Sequence, residues 1–489
     1  MLYGAAAPPR TPHTGGLTAL VGGTGGLLTV AVLGIALLLL LIIKVRLQPV
    51  VALLTVSIAV GLSAGLSVTE LFGTVQKSAA VSVIESGMGG ILGHIAIIIG
   101  LGTMLGSILE VSGGAEVLSG RLLNLFGEHR APFVMGLTGL IFGIPVFFDV
   151  GVFVLAPVVY AAAKRSGRSV LLYAMPLLAA LSMTHAFLPP HPGPVAAAGL
   201  FDVSLGWIVV MGIACGIPAV LAAWVYAGWI GERVFVAVPQ DMAEAAEEAK
   251  AAIAAEQRSA GGTPRETPVS FATVLVIIGT PLLLILAATF SSIMFAPSTP
   301  RSVVEFFGNP FVALTIALLM AYYLLGIRRG WSRRSLEKVS TSSLKPVGNI
   351  LLVVGAGGVF GAVLKGSGIA DALADTFDGM GLPVIVLAYL ISLVLRVAQG
   401  SATVAIVTTA GITVPLVEDA GHSQPFLALV IMAISAGSIF ASHVNDGGFW
   451  IVAKYFGISE RDTLRSWTVL ESVLSVTGFA VAAALSTVV

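Results

Sequence analysis

His185-Ala-Phe-Leu-Pro189-Pro190-His191-Pro192-Gly193-Pro194 lies inside an apolar segment of membrane-spanning length, residues 170–201. Four prolines and a glycine within ten residues cannot continue a helix. Each proline lacks an N–H, and its ring clashes with the preceding turn. Backbone left unpaired in lipid costs several kcal/mol per group, so irregular chain survives there only against protein or a watery cavity. A broken helix with two histidines at membrane depth is therefore a candidate solute site.

The rest of the chain agrees with a membrane setting. Of 489 residues, 57% are hydrophobic and 10% charged, against about 25% charged in an ordinary soluble domain. Mean hydropathy is +1.00. Lys and Arg balance Asp and Glu at 25 each, so no charge excess points to nucleic acid. The single cysteine, Cys215, sits in an apolar run and reads as a small core residue. Residues 1–26 are rich in Gly, Pro and Ala and lack a basic n-region, so they read as an extracytoplasmic tail before a first span.

Outward from the break, spans are expected at 27–43, 50–68, 91–109, 170–201 (broken), 205–230, 271–293, 310–327, 346–364, 425–453 (broken) and 466–488. Two further apolar stretches, 132–163 and 383–418, have polar or glycine-rich middles. They read as helical hairpins that enter the membrane and return on the same side. Loops 44–49, 110–131, 164–169, 231–270, 328–345 and 454–465 hold 20 of the 25 Lys and Arg. Placing them in the cytoplasm puts both termini outside and makes 132–163 a hairpin from the inside.

That order repeats. Three spans, an amphipathic connector, a hairpin, a broken span and a final span occur over 27–230 and again over 271–489. Gly100-Leu-Gly-Thr-Met-Leu-Gly106 parallels Gly355-Ala-Gly-Gly-Val-Phe-Gly361, and Ser112-Gly113 parallels Ser367-Gly368. Five spans per repeat is odd, so the halves face opposite ways. The expected fold is an all-α polytopic membrane protein of two inverted-topology repeats, each with five spans, one of them broken, plus a re-entrant helical hairpin. The 102–106 and 357–361 runs permit close helix packing within the chain. The connectors near 113–127 and 366–380 suit the membrane interface. Residues 231–270, with the helix-favouring run Asp241–Lys250, read as a cytoplasmic linker.

Polar residues concentrate at four places. Hairpin one turns at Gly143-Ile-Pro-Val-Phe-Phe-Asp149-Val-Gly151. Asp149 reads either as a proton carrier or as the N-cap of the second half-helix. Hairpin two turns at Arg396-Val-Ala-Gln399-Gly400-Ser401-Ala402-Thr403. Ser401 and Thr403 suit the N-terminus of the half-helix that follows, a natural seat for a carboxylate. Arg396 reads either as an anion ligand or as the partner of Asp149 or Asp446. The second break, Ser442-His443-Val444-Asn445-Asp446-Gly447-Gly448-Phe449-Trp450, carries Asn445, suited to hydroxyls, and the pair His443 and Asp446, suited to protons. Its plainer reading is a self-satisfied polar network. His185 and His191 stand six apart with no neighbouring carboxylate, which is not a zinc pattern, so neither metal nor cofactor is expected.

His185–Pro194, Arg396-Val-Ala-Gln-Gly-Ser-Ala-Thr-Val404 and Ser442–Trp450, with Lys454-Tyr-Phe-Gly457 and Thr468-Val-Leu-Glu471, resemble the gluconate permease (GntP) family from about residue 27 onward. The resemblance implies a proton-coupled importer of gluconate or a related hydroxy acid in a bacterial inner membrane. Other aldonates, glycerate and D-serine are alternative substrates within that family. It also implies a homodimer with a scaffold and a mobile, elevator-like part, in which hairpins and broken helices form the site. No motif matches a known sodium site. The expected substrate contacts are His185, His191, Arg396, Gln399, Ser401, Thr403, His443 and Asn445, and the expected proton groups are Asp149 and Asp446. Rival classes are an intramembrane hydrolase, for which no GxSxG-type nucleophile motif is evident, and a passive channel.

Overall fold

The computed structural model describes residues 23–73, 82–239, 269–345, 347–369, 372, 383–417, 421–443 and 446–489. Among these every regular element is helical. The helices used below are α1 (Thr24–Leu39), α2 (Pro49–Ser63), α3 (Val83–Val111), α4 (Gly114–Phe126), α5 (Ala131–Phe142), α6 (Phe148–Ser166), α7 (Leu171–Phe187), α8 (Pro192–Leu200) and α9 (Leu205–Arg233). They continue as α10 (Phe271–Met294), α11 (Pro310–Ala321), α12 (Val347–Gly366), α13 (Val384–Gln399), α14 (Ala402–Thr413), α15 (Gln424–Gly437), α16 (Gly447–Tyr455) and α17 (Val469–Leu485).

Among the described residues, eight segments are long and apolar enough to cross a membrane: Thr24–Ile42, Val83–Val111, Leu171–Leu200, Leu205–Arg233, Phe271–Met294, Pro310–Arg329, Arg333–Gly366 and Glu460–Leu485. They meet eight of the ten expected spans. The other two, 50–68 and 425–453, are filled by the shorter apolar helices α2 and α15 with α16. Most of the expected linker, from residue 240 to 268, and two thirds of the 366–380 connector lie outside the described residues. The first connector is α4, with Ala115, Leu118 and Leu122 buried and Leu125 exposed, the one-sided burial of an amphipathic helix.

Corresponding helix pairs pack on one another in the two halves of the chain. α5 lies on α7 and α13 lies on α15. α7 lies on α9 and α15 lies on α17. The halves interlock: α6 meets α16, α14 meets α8, α2 rests on α12, and α11 rests on α3. At the centre α3 runs along α12. Glycines set that approach, because a Cβ at Gly87 would stand 2.8 Å from the Gly358 carbonyl oxygen. The 102–106 run docks the first half's irregular chain. A Cβ at Gly102 would meet Pro190 at 2.6 Å, and one at Gly106 the Pro145 carbonyl oxygen at 2.1 Å. The expected role of these glycines in packing within the chain is thus what the structure gives.

α7 is buried along nearly its whole length and mostly apolar, with Ser182, Thr184 and His185 in its last turns, as suits a helix enclosed by others. It stops at Leu188, which is extended at φ −117° and ψ 139° because a residue before proline is driven out of the helical region. His191 is extended for the same reason, and Pro192 then opens α8 at its first position. The second break runs from Ser438 to Asp446, between α15 and α16. The hairpin tips fall at 143–147 and 400–401. Gly400 takes φ +83° at the end of α13, a conformation that glycine adopts without strain.

Candidate functional site

Three half-helices begin at one place. α6 starts after Phe147, with Asp149 in its first turn. The N-cap is Phe147 and no side chain caps this end, so Asp149 does not act as the cap. α14 starts after Ser401, whose Oγ accepts from the Val404 N–H at 3.4 Å. α16 starts after Asp446, whose Oδ1 accepts from the Gly448 N–H at 3.0 Å. Residues 147–150, 400–403 and 446–448 from these starts all line a cavity of about 470 Å³, within the ordinary range of ligand pockets, about 300–1,000 Å³. Helix N-termini carry unpaired N–H groups and a partial positive charge, worth about 0.3–2 kcal/mol each to an anion.

The charged wall of this cavity is a network. Arg396, 4% exposed, donates from Nη2 to Asp446 Oδ2 at 2.5 Å and from Nη1 to the Gly400 carbonyl. Ser442 Oγ donates to the same Asp446 oxygen. Ser442 in turn accepts from Trp467 Nε1 at 2.8 Å, and its carbonyl accepts from Thr468 Oγ1 at 2.5 Å. The network ties the tip of hairpin two and the second break to the last span. Of the two partners open to Arg396 from the sequence, the structure selects Asp446.

Six of the expected residues border the cavity: Asp149, His185, Arg396, Ser401, Thr403 and Asp446. His191 does not. It is 3% exposed and its Nε2 donates to the Gly143 carbonyl at 2.7 Å, tying the first break to hairpin one. Its ring lies 4.8 Å from that of His185. His443 is also off the lining, with Nδ1 donating to the Ala441 carbonyl at 2.9 Å. Asn445 lies outside the described residues, and the side chain of Gln399 is not described. Among the described residues no group of three His, Cys, Asp or Glu is placed to hold a metal ion.

Sequence reasoning did not assign to the site three lining residues with polar side-chain atoms, Ser182, Trp467 and Glu471. Glu471 Oε2 accepts from Ser182 Oγ at 2.9 Å, joining α17 to α7. The available signal was an acid inside an apolar span, which marks a functional position by default.

A multi-pass α-helical membrane protein in which interrupted helices converge on one polar cavity has the build of a solute transporter. The fold is similar to that of Neisseria gonorrhoeae MtrF, with a TM-score of 0.60 at 17% identity, covering 90% of this chain and 94% of that one. Residues 26–488 match the GntP family permease model, and the chain belongs to that family, as its three motifs imply. It is 42% identical over 454 residues to the inner membrane permease YgbN of Escherichia coli K12, covering 93% of this chain and 97% of that one. It is 38% identical over 467 residues to the gluconate permease of Bacillus subtilis 168, covering 94% and 100%. The chain is a transporter of this family and not an enzyme.

Proposed function

We propose that this protein is a secondary active transporter that couples inward proton movement to uptake of gluconate or a related small hydroxy-carboxylate across the inner membrane. The observation that carries the reading is the convergence of three helix N-termini on one cavity. In this reading those N-termini hold the substrate carboxylate, and Arg396 adds positive field from behind them while it remains paired with Asp446. Ser401 and Thr403, with Gln399 and Asn445 from the same two turns, read the hydroxyls. His185 closes the side toward the first break.

Charge supports the coupling. The cavity is bordered by three carboxyl groups, Asp149, Asp446 and Glu471, and by one guanidinium, Arg396. An entering anion adds to an excess of negative charge in a partly desolvated space. A proton taken up on one of the acids removes that cost for both. The repeated order of parts, with each half's helices seated on the other half, supports two inverted repeats over 27–230 and 271–489 and an alternating, elevator-like exposure of the site. The homodimer and the placement of both termini outside belong to the same reading. The name of the Bacillus subtilis relative favours gluconate; the name of YgbN specifies no substrate.

Purified protein in proteoliposomes is expected to accumulate radiolabelled gluconate when the outside is made acidic, and to lose the accumulated label on addition of a protonophore. Absence of gradient-driven uptake of gluconate and of every other aldonate tried overturns the reading. A thermal-shift screen over small carboxylates ranks the ligands, since binding to the folded state raises Tm in proportion to the logarithm of ligand excess.

A further inference from the structure

We infer that Glu471, held by Ser182, is the group that carries the coupled proton. The inference rests on the transport reading above and names the acid within the site.

The three acids at the cavity differ in what surrounds them. Asp149 is exposed to the cavity in the first turn of α6, where the helix N-terminus supports its charge and Asp446 opposes it. Asp446 accepts from Arg396, Ser442 and the Gly448 N–H, so its charge is fully committed to holding the second break. Glu471 has neither kind of support. It is 1% exposed, its Oε2 accepts one hydrogen bond from a neutral hydroxyl, and its Oε1 is buried with no partner among the described residues. A desolvated carboxylate with one neutral donor bears nearly the whole cost of its charge, and a proton on it removes that cost.

The groups facing Glu471 from each neighbouring element leave this unchanged. α7 contributes Ser182 and, one turn on, His185. α13 contributes Arg396, whose field reaches Glu471 but whose Nη1 and Nη2 are taken by Gly400 and Asp446. It also contributes Tyr389, whose hydroxyl pairs with Ser475 one turn along α17. The second break contributes the opposing charge of Asp446, and α6 places Asp149 on the same cavity. α15, which packs on α17, carries no Asp, Glu, Lys, Arg or His. No cation forms an ion pair with Glu471 among the described residues.

The route is short, because Ser182 and Glu471 both border the cavity that would hold the anion. A proton from cavity water adds to the Glu471 carboxylate while the substrate anion enters. It returns to water, re-forming the carboxylate, when the site opens inward and the anion leaves. No other bond is made or broken.

The test separates coupling from translocation. In proteoliposomes with radiolabelled gluconate, Glu471→Gln is expected to lower accumulation driven by a pH gradient at least tenfold. Exchange of internal for external gluconate at equal pH is expected to continue and to lose its pH dependence. Ser182→Ala keeps the acid and removes the donor that favours its charged form. Its exchange is expected to show a pH midpoint about one unit higher than wild type, the size expected for a charge-assisted hydrogen bond. Gradient-driven accumulation by Glu471→Gln, loss of exchange together with accumulation in that variant, or an unmoved midpoint in Ser182→Ala each overturns the inference alone. Absence of gradient-driven accumulation in the wild-type protein overturns the transport reading beneath it.

Discussion

The two interruptions, 188–191 and 438–446, solve one problem by opposite chemistry. Each must leave backbone at membrane depth without unpaired polar groups. The first is made of prolines and is almost wholly buried among apolar side chains. Proline has no N–H to satisfy, so Pro189, Pro190, Pro192 and Pro194 remove donors that the break would otherwise strand. Its one described side-chain bond is His191 to the Gly143 carbonyl. The second is made of polar side chains that supply partners. Asp446 caps α16 and pairs with Arg396, and Ser442 links them to Trp467. Deleting donors gives a break that packs and stays silent. Supplying partners gives a break that carries charge and can face a solute, and 446–448 borders the cavity whereas 188–191 does not.

The largest expected effect lies in the charged break. Asp446→Ala strips the cap from α16 and leaves the buried Arg396 guanidinium without a counter-ion. Breaking such a pair costs about 3–5 kcal/mol, and the lost cap adds about 1 kcal/mol. Thermal unfolding in detergent should show a large fall in Tm, and uptake should vanish. Replacing both partners, Arg396→Met with Asp446→Leu, should return most of the stability without returning uptake. If Asp446→Ala unfolds no more readily than wild type, the second break does not depend on its charges and the contrast fails.

Much of this contrast is legible in the sequence. Proline and glycine act locally, so the run 189–194, the pair Gly447-Gly448 and the hairpin tips at 143–151 and 396–403 announce the irregular chain from composition alone. Long apolar runs announce eight spans in the same way. What is not legible is which side chains meet. Arg396 and Asp446 are fifty residues apart, and nothing local prefers Asp446 over Asp149 as the partner. His191 and His443 carry the chemistry of a ligand, yet each turns toward a backbone carbonyl, a choice made by packing. Glu471 hides for a different reason. It stands in the sequence as an acid inside an apolar span, but only the approach of α7 reveals Ser182 beside it. The short helices α2 and α15 show the limit of counting by length: each is apolar but shorter than a single span, α15 because the second break interrupts its segment.

A middle-sized effect is expected at His191. His191→Ala removes the donor to the buried Gly143 carbonyl and leaves a void between the first break and hairpin one. An unmet buried acceptor costs about 1–3 kcal/mol, so Tm should fall clearly. KM for gluconate should stay within about twofold of wild type, because the ring lies behind the cavity wall. A tenfold rise in KM with Tm unchanged would make the first break a ligand site and erase its distinction from the second.

The smallest expected effect on uptake comes at Pro194, and it tests the silent break most directly. Pro194 is the third residue of α8, where an N–H has no partner within the helix. Pro194→Ala adds a buried donor at that point, at about 1–3 kcal/mol, and restores freedom to the unfolded chain, at about 0.4–1 kcal/mol. The packing volume changes little. Pro194→Ser restores the same N–H but adds a hydroxyl that can accept from a neighbouring free N–H in the first turn. It should therefore be the more stable of the two variants, with uptake retained in both. If Pro194→Ala is as stable as wild type, the prolines of the first break act only by their shape, and donor deletion is not what keeps that stretch of chain intact at membrane depth.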